Sequence, residues 1–327
     1  MQVLIIKLSS LGDVVHSMPA VQDIRTAIAH ARIDWVVEPS YASLVRRVEG
    51  IGDVIELPLR RWAAAWWSQT TRREFKALRA RLTRQRYDAT LDLQGLTKSA
   101  LVGRVVRLST NGHRYGIANR TEGSSWEFAA RCLVDRPIHI APRTHAMDRS
   151  RVLAGRALGY NPEGPPRYGL RATPPARNSP SVVFVHGSSR DDKLWPLERW
   201  IALGQRLTAD GMRIGLPQGD AGERERAQRL ASALGPQAEV WPEMSIDAVV
   251  DRMAASQGVI GVDSGLSHIA VALGLPHVQL YNFPTAWRTG PQKAHGHLHQ
   301  VSVLGQPSPA LQEVWSAWCS VKGRGFS

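Results

Sequence analysis

A chain of 327 residues, 43% of them apolar and with a mean hydropathy of −0.23, is long enough for two domains that each bury a core of their own. Its composition excludes a disordered chain and a multi-span membrane protein, and two cysteines, Cys132 and Cys319, make no disulfide framework and fit a reducing compartment. Forty-one Lys and Arg against 28 Asp and Glu give a net charge of +13 and a pI near 10.5, which calls for an anionic partner such as nucleic acid, an acidic glycan or a membrane face.

The N-terminus, MQVLIIKLSSLGDVV, carries no basic leader and no small-residue cleavage site, so no signal peptide is expected. The longest apolar run falls far short of the roughly 20 residues that span a bilayer, and a soluble intracellular protein is expected. Residues 2–8 predict a strand, Ser9 to Asp13 a turn, and Val14 to about Ala29 a helix. Further strands are predicted over Asp34–Glu38, Val54–Leu57, Ala89–Asp92 and Arg114–Ile117. Between the second and third of these lies Arg60–Arg86, with nine cations, one acid (Glu74), and Trp62, Trp66 and Trp67 among them. Trp favours a membrane–water interface and neighbouring Arg attracts anionic headgroups. A nucleic-acid groove uses the same residue types, and the plainer alternative is a solvated basic helix with its tryptophans packed on the protein's own core.

Residues 161–180 hold six prolines and predict a linker. The strand–helix pattern then restarts. Strands are predicted at Ser181–His186, Arg213–Leu216, Ala238–Trp241, Gly258–Asp263 and His277–Tyr281, and helices at Pro196–Asp210, Gly222–Leu234, Ser245–Ala254 and Ser267–Leu273. From Pro309 to about Val321, Leu311, Val314, Trp315 and Trp318 recur at helical spacing and need an apolar surface. The alternation predicts an α/β protein of two doubly wound parallel sheets, at 1–160 and 181–307, with a terminal helix and tail at 308–327. Ligands are expected at strand C-terminal ends and between the domains. Residues 1–170 hold 26 basic and 15 acidic residues, net +11, whereas residues 171–327 hold 15 and 13, net +2; the anionic partner therefore belongs to the first half.

Three strand-to-helix loops carry candidate chemistry. In Ser9-Ser10-Leu11-Gly12-Asp13, Gly12 permits a tight turn or close ligand approach, and Asp13 reads either as a helix cap or as a general base. Gly187 to Pro196 places Ser188, Ser189 and Lys193 before a helix start, an anion site by its free N–H groups and its point charge, or else a solvated Asp-rich turn. Gly261 to His268 repeats the arrangement, with Ser264 and Gly265 at a helix mouth where a pyrophosphate can dock and Asp263 and His268 placed to orient the loop or touch a sugar. No GxGxxG is present in the first loop. No His/Cys/Asp set has metal-ligand spacing, and His295, His297 and His299 read as incidental.

Taken together, VLIIKLSSLGDVVHSMPA (3–20), DWVVE (34–38), RRWAAAW (60–66), DLQGLTKSA (92–100), SSRDDKLWPLERW (188–200), GERERAQRL (222–230) and VDSGLSHIAVALGLP (262–276) resemble the lipopolysaccharide heptosyltransferases. RRWxxAW and SRDDKxWP point to the type I branch. The resemblance implies a GT-B fold, two Rossmann-like domains facing a cleft with the C-terminal helix crossing back to the first. It implies inverting transfer of L-glycero-D-manno-heptose from ADP-heptose to the first Kdo of Kdo2–lipid A. The enzyme would be a monomer, peripheral on the cytoplasmic face of the inner membrane, with no metal or other cofactor. Asp13 matches the catalytic carboxylate. Ser10, Gly12, Arg60, Arg61, Gln94, Lys98 and Arg120 fall on the acceptor side. Ser188, Ser189, Lys193, Glu223, Met244, Asp263, Ser264, Gly265 and His268 fall on the donor side. Two departures stand out: Ala63 or Ala64 stands where relatives carry a basic residue after the RRW element, and Tyr281 to Trp287 replaces the usual turn, which leaves Thr285 and Trp287 without a transferred role. The competing classes are a sister transferase adding a later core sugar, a basic nucleic-acid-binding protein without any helix-turn-helix, zinc-finger or RNP pattern, and a Rossmann oxidoreductase, disfavoured by the missing glycine fingerprint.

Overall fold

The computed structural model describes residues 1–176 and 180–322; the end of the predicted linker (177–179) and the tail (323–327) lie outside the described residues. The chain divides between Leu170 and Arg171 into two compact units.

The first unit runs β1 (Gln2–Ile6), α1 (Leu11–Ala27), β2 (Arg32–Val37), α2 (Pro39–Arg46), β3 (Ile51–Glu56), α3 (Leu59–Ala64), α4 (Gln69–Leu82), β4 (Tyr87–Asp92), α5 (Thr97–Val105), β5 (Leu108–Ile117), α6 (Phe128–Cys132), β6 (Arg136–Ile138) and α7 (Ala146–Leu158). Its six strands are all parallel, in the order β3-β2-β1-β4-β5-β6. β1 sits in the middle because Val3, Leu4, Ile5 and Ile6 are apolar on both faces and all fully buried, as a strand covered by helices on both sides requires. α1 is buried on most of its circumference and packs against α7. The predicted linker is ordered over its first half and belongs to this unit: Arg151 binds Asp23 at 2.7 Å and reaches the carbonyls of Glu163 and Gly164, the Gly169 carbonyl accepts from the Glu49 N–H, and Leu170 bridges to Val48.

The second unit runs β7 (Ser181–Val185), α8 (Leu197–Ala209), β8 (Arg213–Leu216), α9 (Ala221–Leu234), β9 (Ala238–Val240), α10 (Ile246–Ala254), β10 (Gly258–Val262), α11 (Gly265–Ala272), β11 (His277–Tyr281), α12 (Ala286–Thr289), β12 (Gln300–Leu304) and α13 (Leu311–Lys322). Its sheet is again parallel, in the order β12-β11-β10-β7-β8-β9. Counted from each unit's first strand, the two orders are the same. The order reverses between β1 and β4 in one unit and between β7 and β10 in the other, and such switch points are where open α/β sheets bind ligands.

One expectation needs correcting. β6 and β12, one outer strand of each sheet, are absent from the predicted set; β6 is three residues long and contains Pro137, too short for a periodic signal. The described residues of α13 pack on β11, β12 and α8 of the second unit. Val314, Trp318 and Val321 complete the second core, beside Trp195 and Trp200.

Candidate active site

At the switch point of the first unit, β1 leads through Lys7 to Ser10 into α1. The Gln94 side-chain amide oxygen accepts from the Leu8 and Ser9 N–H groups at 3.1 and 3.2 Å, so the loop following β4 fixes the loop following β1. Asp92 holds that second loop by accepting from the Gln94 and Gly95 N–H groups and the Ser99 hydroxyl. Burial pushes its carboxyl up to about 6 against those hydrogen bonds.

Asp13 stands in the first turn of α1, three residues after the N-cap Ser10. Its Oδ2 accepts from the Ser10 N–H at 3.2 Å and the Ser10 hydroxyl at 3.1 Å. It is therefore a capping residue, as one of the two readings has it, yet its side chain remains 42% exposed and lines a cavity with Lys7, His16, Gln94, Ser124, Arg149 and Ser150. The Lys7 ammonium is 3.9 Å from Asp13 Oδ1 and donates to the Leu93 carbonyl at 3.0 Å. Partial burial works against the Asp13 carboxylate, but Lys7, the two Ser10 hydrogen bonds and Arg149 outweigh it and hold its pKa below the ordinary Asp value. Lys7 itself is pulled below the usual Lys value by burial and by Arg149, against the attraction of Asp13 and Asp92. Lys7 and Arg149 are absent from the predicted set.

The predicted cations separate into two kinds. Arg60 and Lys98 lie at the same strand-end rim: the Arg60 N–H and the charges of Arg60 and Lys98 act on the Glu38 carboxyl, which burial nonetheless raises. Arg60 and Arg120 are exposed, and no described acid pairs with either or with Lys98. Arg61 is engaged instead, 2.8 Å from Glu74 on α4, which also accepts from Trp62 Nε1 at 2.7 Å. An exposed pair of this kind contributes little in water, so a competing oxyanion can take Arg61 over at small cost. Gly12 lies in the first turn of α1.

In the second unit, Asp263 at the end of β10 is the hub. The Lys193 ammonium donates to its Oδ2 at 2.7 Å, His268 Nε2 lies 3.5 Å from Oδ1, and Gln279 and Thr289 approach Oδ1 at 3.4 and 3.3 Å. Burial opposes the charge, but His268 and Lys193 hold the carboxyl far below the ordinary range. Lys193 is thus not a free point charge; it ties the β7–α8 loop to the β10–α11 loop, 70 residues apart. The Asn282 amide fixes the same loop through the Asp192 and Leu194 carbonyls. Ser264 is the N-cap of α11 and Gly265 its first residue; the Ser264 hydroxyl is buried with no hydrogen bond. Ser188 and Ser189 sit in the β7–α8 loop, part-exposed and exposed. Glu223 in the first turn of α9 accepts from the Gly219 N–H at 2.8 Å and is raised by burial and by Asp220. Its carboxylate occupies the place a Cβ would take at Gly187, so the glycine lets the acid reach the end of β7. Met244 stands apart from this hub, lining a groove with Trp241, Ala248 and Arg252. Thr285 precedes α12, and the Trp287 carbonyl accepts from Gln292.

The profile of glycosyltransferase family 9 (heptosyltransferase) matches residues 75–313. Lipopolysaccharide heptosyltransferase 1 of Escherichia coli K12 is 39% identical over 86% of the chain and 88% of its own length; that of Pseudomonas aeruginosa is 36% identical over 86% and 78%. Among solved structures, the E. coli heptosyltransferase WaaC with ADP superposes with a TM-score of 0.84 at 35% identity, covering 96% of each chain. The same protein with ADP-2-deoxy-2-fluoro heptose gives 0.81 over 99% and 98%.

Proposed function

The chain belongs to glycosyltransferase family 9 and is a lipopolysaccharide heptosyltransferase of GT-B fold; from that premise we propose that it moves L-glycero-D-manno-heptose from ADP-heptose to the first Kdo of Kdo2–lipid A, with inversion and with Asp13 as general base. The observation that carries the reading is the Asp13 carboxylate, kept ionised by Lys7 and Ser10 yet open to a cavity at the switch point of the first sheet. The relatives named above are type 1 enzymes, and the WaaC structures hold ADP or an ADP-heptose analogue; these similarities support the donor and the acceptor.

In the proposed step a Kdo hydroxyl oxygen attacks the heptose anomeric carbon as the bond to the β-phosphate oxygen breaks. ADP leaves with the bonding electrons, and the hydroxyl proton passes to Asp13. A carboxylate below the ordinary Asp pKa is a weak base for an alcohol, so the proton moves late, once the oxygen has given up charge. Arg60, Arg61, Lys98 and Arg120 supply forked or point charges for Kdo carboxylates and lipid A phosphates, while Gln94 fixes the loop that carries Ser10, Gly12 and Asp13. On the donor side, Lys193 and the N–H groups at the mouth of α11 meet the charge on the departing diphosphate, and the unpaired Ser264 hydroxyl gains a partner there. Ser188 and Ser189 extend that contact, Glu223 takes the ribose hydroxyls, Met244 the adenine, and Asp263 and His268 keep Lys193 in place. With that positive field the step needs no metal. The enzyme acts as a monomer at the cytoplasmic face of the inner membrane; among the described residues no helix is long and apolar enough to cross it.

The test is ADP release from ADP-heptose with purified Kdo2–lipid A. Asp13→Ala is expected to lower turnover by about 10²–10⁴-fold while ADP-heptose binding, measured by calorimetry, stays within a factor of two or so. Turnover near wild type would remove Asp13 from the role of base. Transfer only to an already heptosylated core would reassign the enzyme to the sister reaction.

A further inference from the structure

The surface formed by α4 and the turn before it is left unexplained by sugar transfer. α4 presents Thr71, Glu74, Leu78 and Leu82 inward; Leu78 and Leu82 join the core. The opposite face carries Arg72, Arg73, Lys76 and Arg79, all exposed, and no described acid pairs with any of them. Arg72 and Lys76 are four apart and Lys76 and Arg79 three apart, spacings at which like charges destabilise a helix. Glu74, the helix's one acid, points the other way and is consumed by Arg61 and Trp62. At the N-terminal end of this cationic face, Trp66 and Trp67 are 66% and 63% exposed and stand edge to face with centroids 5.7 Å apart. Phe75 is 50% exposed and rests edge-on against the buried Trp62.

Rings this large are normally buried. Two exposed tryptophans with no described core to cover them, next to a row of uncompensated cations, match a boundary that is apolar below and anionic at its surface. A nucleic acid would meet the cations equally well, but it would stack on rings set along its track, whereas here the two indoles are grouped at one end of the row. We propose that α4 and the Trp66–Trp67 turn dock this unit onto an anionic lipid bilayer, the indoles entering the headgroup region and Arg72, Arg73, Lys76 and Arg79 lying along the phosphates. The crossover that carries them leaves the sheet after β3, at the strand ends where Asp13 lies, so docking brings the rim of the Asp13 cavity towards the lipid. The proposal rests on the reading of the acceptor as a lipid-linked sugar.

The experiment is sedimentation of the full-length protein with vesicles of phosphatidylcholine alone or mixed with phosphatidylglycerol, alongside transfer to a delipidated, water-soluble Kdo acceptor. Wild type is expected to bind only the mixed vesicles. With each cation near the surface worth about fivefold in partitioning, Arg72→Glu/Lys76→Glu is expected to weaken binding by at least about thirtyfold. Trp66→Ser/Trp67→Ser should weaken it as well and abolish quenching by brominated lipid, and both variants should keep wild-type transfer to the soluble acceptor. Reversal of Arg131 and Arg229, exposed on other elements, is the control and should bind far more tightly than the α4 pair. Binding by the α4 and indole variants equal to wild type would overturn the proposal. So would a wild type that ignores both vesicle types, or one that prefers single-stranded oligonucleotide to mixed vesicles at equal ionic strength. Vesicle binding without transfer to any Kdo acceptor would instead overturn the functional reading and leave the docking surface standing.

Discussion

At the scale of single residues, the least expected is Lys7. It is turned inward, held by the Leu93 carbonyl and aimed at Asp13. Asp13 was within reach of sequence reasoning because a strand, a glycine turn and a helix start frame it within a few positions. Lys7 was not, because nothing local tells which way its side chain turns. The same limit applies to Arg61 and Lys193, whose partners Glu74 and Asp263 lie 13 and 70 residues away. The consequence for Lys7 is measurable. Its positive charge lowers the Asp13 pKa, so Lys7→Met raises it, and a base that must be ionised then fails at a higher pH. The acidic limb of the kcat/KM profile should move upward in Lys7→Met and move far less in Lys7→Arg; an unmoved limb in Lys7→Met would separate the two groups functionally.

At the scale of elements, periodicity located most strands and helices, and it is silent where an element's partner is decided by tertiary packing. α13 shows this: the stripe Leu311, Val314, Trp315 and Trp318 correctly announces a helix needing apolar cover, but a stripe carries no address. The address is Gly258 at the start of β10, where a Cβ would lie 2.8 Å from the Trp318 ring. The missing side chain makes room for the indole on its own unit's sheet. Arg206 and Lys322 then lie within 5.7 and 5.6 Å of the Trp315 ring. Trp318 is fully buried, so Trp318→Ala is expected to cost ~3–5 kcal/mol by cavity formation, read by denaturant unfolding of the full chain. A loss under about 1 kcal/mol, the size of a surface change, would mean that α13 is not part of the second core.

At the scale of the whole molecule, the +13 charge is a property of the first unit and of its outward helices. Much of it is exposed and therefore open to screening, which takes hold over about 8–10 Å near physiological salt. Raising ionic strength should increase KM for the acidic acceptor several-fold while KM for the donor changes little, since Lys193 and Asp263 are a largely enclosed pair; parallel rises in both would contradict the assignment of the charge to the acceptor. The duplicated strand order has a consequence for engineering. Each sheet is continuous in sequence, and each switch point with its two loops is encoded on one side of the boundary between Leu170 and Arg171. Recombination at that junction with a family member of different acceptor preference keeps every hydrogen-bonded ladder of the two sheets intact, and under the proposed division of acceptor and donor sites it would exchange the two specificities separately.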